Sequence, residues 1–303
     1  MDITDDGWLQ SAQLPVQPVH SDDAARRDIR LGMLRLDMLD VLVSGNKWFK
    51  LIRNLQAARA GHHIAVLTFG GAWSNHLVAT AAAAARAGFQ SIGIVRGLHG
   101  AARPTPALQQ CTALGMQLRF LSRADYARHR EPAFTEQLCR DYQRPYLIPE
   151  GGANAAGREG AALIAPYIGA HYTHICVSAG TGTTLAGLRA ALPPAQHITG
   201  FAPMKGGAYI SRQIAGWLPP AQNTNWHITD AYHFGGFGKV PEHLLQFIRQ
   251  FRQEQNIPLD RVYTAKMMYG VLELIRQQYF PEGARILCIH TGGCQGELIS
   301  HNS

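Results

Sequence analysis

Short apolar segments alternate along the chain with longer amphipathic or alanine-rich segments, and glycine stands at most of the boundaries. Short runs rich in Ile, Val and Leu predict buried strands, whereas apolar residues at helical spacing predict helices. The predicted strands are LGMLRLDML, HIAVLTFGG, QSIGIVRG, QLRFLS, PYLIPEGG, HYTHICVSAG, HITGFAP and ARILCIHTGG. The predicted helices are the segment after Gly45, SNHLVATAAAAARAG, PALQQCTALG, residues 132–142, GTGTTLAGLRAAL, PEHLLQFIRQFRQEQ and TAKMMYGVLELIRQQY.

This alternation predicts an α/β fold with parallel sheets and right-handed crossovers. A length of 303 residues favours two domains, or one large α/β domain. Ligands of parallel sheets lie beyond the carboxyl ends of the strands. Four of the predicted strand ends carry polar residues flanked by glycine, at Gly70–Asn75, Glu150–Asn154, Gly180–Thr184 and Thr291–Gly293.

The composition, with 46% hydrophobic and 16% charged residues, is that of a globular enzyme. No apolar run reaches the length of a membrane span, and the acidic start MDITDDGWLQ lacks the layout of a signal peptide. The five cysteines form no CxxC pair, and their odd number gives no disulfide framework. We therefore expect a cytoplasmic protein that does not associate with membranes.

The charge of +7 is scattered, since the longest basic run is Arg26-Arg27, and we expect no nucleic-acid partner. None of the 14 histidines pairs with Cys, Asp or Glu at ligand spacing, so we expect no metal site. The 70 residues between Glu159 and Asp230 contain no acid. Surroundings without acids suit a phosphorylated ligand, because nearby carboxylates would repel it.

The segment from Ser44 to Lys50 predicts a turn followed by a helix. Gly45 permits a sharp reversal, and Asn46 is a candidate for the helix N-cap. Lys47 and Lys50 are three residues apart, so they share one face of the first helical turn. Two ammonium groups at a helix N-terminus suit an anion or a carbonyl carbon. The alternative is a pair of solvated surface lysines.

The loop Gly180-Thr181-Gly182-Thr183-Thr184 lies between a predicted strand and a predicted helix. It presents backbone N–H groups and hydroxyls at the positive end of a helix dipole, which favours an anion. The loop lacks the G-K-[ST] ending of a P-loop and the third glycine of the dinucleotide fingerprint. A phosphate without an attached nucleotide is therefore favoured over NAD. A tight turn that simply requires glycine is the alternative.

In Gly70-Gly71-Ala72-Trp73-Ser74-Asn75-His76, Ser74 stands at the start of a predicted helix. It is first of all an N-cap candidate. The same helix end could bind a substrate carboxylate, with the hydroxyl of Ser74 and the amide of Asn75 near the reacting groups. His76 could contact substrate or merely cap the helix.

Six segments of the chain, taken together, resemble a known family. SGNKWFKL, GGAWSNH, IPEGGAN, AGTGTTLAG, VYTAKMMYG and IHTGG occur in the order and rough spacing of pyridoxal-phosphate enzymes of fold type II, which is the tryptophan synthase beta-like fold. The group that they resemble is the 1-aminocyclopropane-1-carboxylate deaminase / D-cysteine desulfhydrase family. The likeness runs from about Pro15 to Gly296. It implies two parallel-sheet α/β domains with the cofactor in the cleft, a small domain at 49–152, and a large domain at 1–48 and 153–303. It also implies a homodimer.

The resemblance implies pyridoxal 5'-phosphate as cofactor and assigns residues to it. Lys47 is placed like the Schiff-base lysine, which also moves the Cα proton of the substrate. Asn75 is placed like the residue that hydrogen-bonds the cofactor's phenolate oxygen. Residues 180–184 match the phosphate cup, to which Lys50 would add charge. Thr291 is expected at the pyridine nitrogen, with Thr264 as a second candidate. A neutral hydroxyl there suits β-elimination.

The resemblance also implies which residues meet a small amino-acid substrate. Ser74 resembles a hydroxyl that contacts substrate or relays a proton, and Tyr263 matches a tyrosine that faces the substrate. Phe237 stands where the family usually has a second tyrosine, although plain packing is the alternative for this ring. The set of expected substrate contacts is Ser74, Asn75, His76, Tyr263 and Phe237.

These features predict a lyase or deaminase that abstracts the Cα proton and eliminates a β-substituent. D-cysteine would give pyruvate, ammonia and sulfide. The deaminase proper resembles this chain but carries Glu at the position of Thr264 and Leu at that of Thr291, and both differences favour the desulfhydrase. The alternatives are 1-aminocyclopropane-1-carboxylate deamination, a non-catalytic cofactor-binding protein of the same fold, and a nucleotide-dependent α/β protein.

Overall fold

The computed structural model describes residues 13–293, and their contacts divide them into two compact units. The first unit is residues 40–160, and the second is residues 13–39 together with 161–293. Between Gln13 and Gly293, no helix has the length and apolarity needed to cross a bilayer. Within the same range, no group of three His, Cys, Asp or Glu side chains is arranged to hold a metal ion.

The first unit is built on a four-stranded parallel sheet in the order β5-β4-β3-β6. Its strands are β3 Ala65–Gly71, β4 Gln90–Arg96, β5 Met116–Leu121 and β6 Tyr146–Ile148. Its helices are α2 Asn46–Ala60, α3 Asn75–Ala87, α4 His99–Ala102, α5 Pro106–Ala113, α6 Arg123–Ala127, α7 Pro132–Asp141 and α8 Ala155–Ala162, the last of which continues into the second unit. Alternate residues of β3 and β4 pack on opposite faces of the sheet, so the unit has two hydrophobic clusters.

The second unit is built on a six-stranded sheet in the order β1-β2-β10-β7-β8-β9. Its strands are β1 Val16–Pro18, β2 Arg30–Leu34, β7 His174–Ser178, β8 His197–Phe201, β9 Trp226–Thr229 and β10 Arg285–Ile289. Its other helices are α1 Asp22–Ala25, α9 Thr183–Ala191, α10 Ala208–Trp217, α11 Glu242–Gln255 and α12 Thr264–Arg276. Every strand pair is parallel except β1 with β2. The predicted α/β class with parallel sheets is confirmed.

The described structure differs from the predicted elements in a few places. The predicted strand LGMLRLDML ends at Leu34, and the chain continues as a short 3-10 helix at Leu36–Met38. The pattern did not predict the strands β1 and β9 or the helices α1, α4, α6, α8 and α10. The strand β9 pairs only with β8, so it lies at an edge of the sheet, where half-exposed positions leave a weak apolar signal.

The compact unit of residues 40–160 extends beyond the predicted limits 49–152 at both ends. At its start, the Asp40 carboxylate pairs with the Arg86 guanidinium at 2.7 Å. At its end, Gly160 lies so close to the Phe49 carbonyl that a Cβ would overlap it. These contacts tie both extensions to the four-stranded unit. The domain limits implied by the resemblance stay a prediction.

The cysteines agree with the expectation of no disulfide framework as far as they are described. Four of them are free thiols, namely Cys111, Cys139, Cys176 and Cys288. Cys294 lies outside the described residues.

Candidate active site

The turn before Lys47 is built by glycine. Gly45 has φ 67° and is the N-cap residue of α2, whereas Asn46 is the first residue of the helix. The prediction that Asn46 caps the helix was wrong, because the reversal needs a positive φ that glycine adopts without strain. Gly45 contributes no side-chain acceptor to the first turn of α2. Lys47 and Lys50 therefore lie at a helix N-terminus to which the N-cap residue gives no side-chain hydrogen bond.

Lys50 is a buried cation. Its side chain is only 8% exposed, and burial, followed by the charge of Lys47, lowers its pKa to about 7. The alternative of two solvated surface lysines is thus wrong for Lys50. A buried ammonium beside a second lysine is a site where an anion is stabilising, since an anion offsets both desolvation and like-charge repulsion.

The segment IPEGGAN packs against the turn that carries Lys50. A Cβ on Gly152 would lie 3.3 Å from the Cβ of Lys50. Asn154 donates from Nδ2 to Asn54 Oδ1 at 2.7 Å, and Asn54 donates from Nδ2 to the Lys50 carbonyl at 2.7 Å. The sequence pointed to Glu150–Asn154 as a glycine-flanked strand end, but not to Asn54, whose only signal was an asparagine one turn after Lys50.

Ser74 and Asn75 stand at the start of α3, as predicted. Ser74 is the N-cap residue, and its Oγ accepts a hydrogen bond from the Leu77 N–H at 3.3 Å. Gly70 makes room for it, because a Cβ there would lie 2.6 Å from that Oγ. Both Ser74 and Asn75 are half-buried. The cap assignment of Ser74 is confirmed, and its proposed contact with substrate stays a prediction.

His76 lies in the interior of the first unit. Its Nε2 is 3.0 Å from Thr68 Oγ1. Burial, and then the charges of Lys50 and Lys47, lower its pKa to about 3, so the imidazole is neutral at ordinary pH. The same coupling shows that His76 and the two lysines share one electrostatic environment. Thr68 engages only one of the two ring nitrogens, because Nδ1 is buried without a hydrogen-bond partner among the described residues. The expected contact of His76 with substrate stays a prediction.

The loop at residues 180–184 ends at the N-terminus of α9. Its N-cap, Gly182, has φ 77° and supplies no side-chain acceptor. Thr183 and Thr184 are buried in the first turn, and Thr183 Oγ1 lies 2.8 Å from Thr181 Oγ1. Gln213 donates from Nε2 to the Thr181 carbonyl at 3.2 Å and so steadies the loop. A helix N-terminus without a capping side chain, lined by hydroxyls, can hold a phosphate.

Tyr263 lies beside the start of this loop. A Cβ on Gly180 would come within 3.2 Å of Tyr263 Cε1, so glycine allows the loop and the ring to approach. Phe237 contacts Tyr263 edge to face, with ring centroids 5.9 Å apart, and is 52% exposed. The second unit thus brings together Tyr263, Phe237 and residues 180–184, which we call the cup loop. The expected contact of Phe237 with substrate stays a prediction, and plain packing against Tyr263 stays the alternative.

Thr264 and Asp260 are hydrogen-bonded to each other at the start of α12. Thr264 donates from Oγ1 to Asp260 Oδ2 at 2.8 Å and accepts from the Asp260 N–H at 2.8 Å. The Asp260 carboxylate also accepts the backbone N–H groups of Val262, Tyr263 and Thr264. Because the single O–H of Thr264 is already donated, this residue has no proton left for a cofactor nitrogen.

Thr291 follows β10 and is buried. The preceding His290 fixes the turn, since its Nε2 lies 2.6 Å from the Pro258 carbonyl and its Nδ1 lies 3.3 Å from Asp37 Oδ1. The sequence interpretation of His290 as a structural residue agrees with these contacts. The expected contact of Thr291 with the cofactor nitrogen stays a prediction.

Comparisons with known proteins agree with an anion-binding α/β enzyme. Residues 42–292 match the family model described as "Pyridoxal-phosphate dependent enzyme". A protein of Pyrococcus horikoshii with the printed name "Putative 1-aminocyclopropane-1-carboxylate deaminase" is 30% identical over 277 residues, covering 86% of this chain and 84% of its own. A Pyrococcus furiosus protein of the same name is 30% identical over 283 residues, with the same coverage.

Solved structures are similar over nearly the whole chain. The crystal structure of an ACC deaminase homologue matches with a TM-score of 0.79 and 27% identity, covering 95% of this chain and 94% of its own. Threonine deaminase isoform 2 of Solanum lycopersicum matches with a TM-score of 0.64 and 16% identity, covering 92% of this chain and 79% of its own. The second likeness concerns the fold alone.

Proposed function

The chain belongs to the pyridoxal-phosphate dependent enzyme family, and from this premise we propose that it eliminates the β-substituent of a small amino acid, with D-cysteine as the leading substrate. The family and the similar structures show an enzyme with the predicted fold type II, a lyase or deaminase that depends on pyridoxal phosphate. The substrate and the residue roles below are our proposal.

The described residues fit a phosphorylated cofactor on two observations. Lys50 is buried, and the charge of Lys47 lowers its pKa further, so a bound anion would stabilise the charged form of Lys50. The N-terminus of α9 lacks a capping side chain and is lined by buried threonines. We therefore assign the cofactor's phosphate to residues 180–184 with added charge from Lys50, and its attachment to Lys47. Asn75 would serve its phenolate oxygen, and Thr291 its ring nitrogen.

When bound, the cofactor supplies acidity to the Cα–H of an amino acid joined to it. Lys47 Nζ takes the Cα proton and returns it, which a lysine can do at neutral pH when desolvation or a neighbouring cation lowers its pKa. Ser74 Oγ, held at the start of α3, is placed to bind the substrate or relay a proton. Tyr263 and Phe237 would form the wall that fixes the substrate and excludes water.

One observation carries the choice of elimination. The Asp260 carboxylate is fully engaged by three backbone N–H groups and by the hydroxyl of Thr264. The carboxylate beside Thr264 is therefore bound to the start of α12. Thr291, which the resemblance places at the ring nitrogen, would offer a neutral hydroxyl there. A hydroxyl there would not hold a proton on that nitrogen as a carboxylic acid would, so the bound cofactor would supply weaker electron withdrawal, which favours early departure of a β-substituent.

The second candidate is deamination of 1-aminocyclopropane-1-carboxylate. It is favoured by the names of the two Pyrococcus relatives at 30% identity. It differs from the first candidate because the cyclopropane acid carries no Cα proton, so Lys47 would have a different first task.

Three further expectations accompany the proposal. The free state of the described thiols supports a cytoplasmic location. The homodimer and the division into domains at 49–152 and the remainder rest on the resemblance.

The test is a substrate panel. Purified protein loaded with pyridoxal phosphate is mixed with D- and L-cysteine, D- and L-serine and 1-aminocyclopropane-1-carboxylate, and pyruvate, 2-oxobutyrate and sulfide are measured. We expect pyruvate and sulfide in equal amounts from D-cysteine and no 2-oxobutyrate from the cyclopropane acid. The reverse pattern would establish the second candidate. The Lys47→Ala variant is the control for reactions of the free cofactor.

A further inference from the structure

Lys266 is a buried lysine to which no catalytic role has been assigned. Its side chain is 1% exposed. Its Nζ donates to the carbonyl oxygens of Pro203 at 3.1 Å, His233 at 2.9 Å and Gly236 at 2.9 Å. An ammonium group has three N–H donors, so all of them are used by backbone carbonyls.

The three carbonyls belong to two loops at the carboxyl ends of neighbouring strands. Pro203 follows β8, whereas His233 and Gly236 follow β9. Gly235 and Gly236 have φ of 90° and 130°, which lie in the region that favours glycine. This backbone conformation lets the β9 loop turn two of its carbonyls towards one point. The carboxyl ends of parallel strands are also where ligands of such sheets lie.

The arrangement has the chemistry of a monovalent cation site. Three neutral carbonyl dipoles converge on one positive charge, and no carboxylate hydrogen-bonds to it. Burial lowers the pKa of Lys266, and the charge of Asp260 partly offsets that effect. Converging carbonyl oxygens are the ligands that K⁺ takes in place of its hydration shell. The His233 and Gly236 carbonyls each accept a backbone N–H as well, from Gly236 and Lys239, so Lys266 occupies the remaining acceptor capacity of both. Removing the ammonium would leave the buried Pro203 carbonyl without its Lys266 donor, which is costly.

Lys266 also connects this loop with the aromatic pair at the candidate substrate side. Phe237 follows Gly236 directly in sequence, and Tyr263 is the N-cap residue of the helix that carries Lys266. The edge contact between Phe237 and Tyr263, with centroids 5.9 Å apart, therefore depends on where the β9 loop is held relative to α12.

We propose that Lys266 is a positioning residue that serves as a built-in monovalent cation, binding the β8 and β9 loops to α12 and thereby setting Phe237 against Tyr263. Its effect on substrate rests on the proposed function, because that function places these two rings at the substrate. Its effect on the loops does not. The chain supplies its own ammonium, so the wild-type protein should need no K⁺ or NH₄⁺.

The experiment is chemical rescue of the pyridoxal-phosphate-loaded Lys266→Ala variant. This substitution removes the ammonium and opens space beside the three carbonyls. The melting temperature and the KM and kcat for the substrate found by the panel are measured in the chlorides of ammonium, potassium and tetramethylammonium at equal ionic strength. Tetramethylammonium has no N–H and is too large to enter, so it shows the unrescued state.

In tetramethylammonium, we expect the KM of Lys266→Ala to be about tenfold above that of the wild type, with a smaller fall in kcat. The reason is the loss of the charge-assisted hydrogen bonds from Lys266 to the three carbonyls. Ammonium or potassium should lower that KM by about threefold or more and raise the melting temperature. The wild-type protein should be indifferent to the cation. Lys266→Met, which fills the space with an apolar chain, should lose affinity and not be rescued. Lys239→Ala removes an exposed lysine from the same loop and should behave as wild type.

The proposal is overturned if Lys266→Ala keeps the wild-type KM, or if no small cation changes its KM or its melting temperature relative to tetramethylammonium. Should Lys266→Ala fail to fold, Lys266→Gln retains two N–H donors and takes its place. If both fail in every salt, Lys266 is a general core residue and the proposal is wrong. If the wild type turns over none of the panel while the melting temperature of Lys266→Ala still responds to cations, the proposed function fails and the cation role of Lys266 stands.

Discussion

Lys47 stands one helical turn before Lys50 on α2, and its charge adds to burial in lowering the pKa of Lys50 to about 7. The pair is asymmetric, since Lys50 is buried and Lys47 is half-buried. This difference divides their roles. The more accessible amine suits covalent attachment of the cofactor, whereas the buried one suits a fixed charge beside a phosphate.

The division of roles predicts opposite outcomes for two alanine variants. Lys47→Ala should lose the cofactor adduct that borohydride fixes, and its turnover should fall by about a thousandfold or more, because the base is removed. Lys50→Ala should keep the adduct and weaken retention of pyridoxal phosphate by about tenfold, as expected for one charge-assisted contact. Peptide mapping of the reduced protein and equilibrium dialysis measure the two effects.

Lys239→Ala, at an exposed lysine, controls for the loss of one positive charge. A borohydride-reduced adduct that maps to Lys50 would show that the two assignments are inverted.

Lys50 also makes the stability of the cofactor-free protein depend on pH. The folded-state pKa of about 7 lies below the ordinary value of 10.5, so the unfolded chain binds this proton more tightly. The contribution of Lys50 to stability therefore falls as the pH falls from about 10.5 to 7, and the penalty is fully present below about 7. Urea unfolding between pH 7 and 9.5 should show this rise in stability with pH.

Lys50→Met cannot titrate, so its stability should depend less steeply on pH over the same range. Equal slopes for Lys50→Met and the wild type would mean that Lys50 retains its proton throughout. Inorganic phosphate should also flatten the wild-type slope, because a bound anion stabilises the charged form of Lys50.

Gly182 should matter for more than its backbone conformation. A Cβ at this position would lie 2.8 Å from Ile214 Cγ1 and 3.0 Å from Ile210 Cγ2, so Gly182→Ala must displace the cup loop. We expect Gly182→Ala to weaken binding of pyridoxal phosphate by about tenfold, since the N–H groups of α9 move relative to the phosphate. Fluorescence titration with the cofactor measures this.

Gly88→Ala is the matched control. Gly88 has φ 78°, nearly that of Gly182, and a Cβ there meets nothing within 4 Å. Both variants should lose about 1–2 kcal/mol of stability from backbone strain, but only Gly182→Ala should lose cofactor affinity. Similar cofactor affinities for the two variants would argue against a phosphate at this loop.

Thr264 and Thr291 should separate into a structural and a functional threonine. Thr264→Val removes the hydroxyl that binds Asp260, and we expect a loss of about 1–3 kcal/mol in the free energy of unfolding with an unchanged cofactor absorbance spectrum. Thr291→Val should instead shift the visible spectrum and lower turnover. A spectral shift in Thr264→Val, and none in Thr291→Val, would reassign the ring nitrogen to Thr264.

Much of the fold could be predicted from the sequence because the strands of the sheet interiors are continuous apolar runs. The strands at residues 65–71, 90–96 and 285–289 lie within their predicted segments. Two of the wrong or missing predictions, β9 and the cap at Asn46, are at places where local signals are weak or compete. Asn46 has the better capping side chain, but the N-cap residue is Gly45, because the chain reverses there with φ 67°.

The residues of the candidate site also fall into those that the sequence pointed to and those that it did not. Motif order pointed to Lys47, Ser74, the cup loop and Tyr263, and the structure gives each of them a helix start or a loop at a strand end. Motif order did not distinguish the role of Thr264 from that of Thr291. It gave no role to Lys266, the last residue of VYTAK. The role of Lys266 depends on carbonyl groups that are distant in sequence. The role of Thr264 depends on whether its one hydroxyl proton is already donated, here to Asp260.

The sequence by itself determined the order of strands and helices, the family and the cofactor, because hydrophobic period and motif spacing are local properties of the chain. Only the tertiary structure decided that Lys50 is buried with a lowered pKa, that the hydroxyl of Thr264 donates to Asp260, and that Lys266 donates to three carbonyls. Desolvation and hydrogen-bond partnership are set by what packs around a group, and for Lys266 the partners come from residues 30 to 63 positions away.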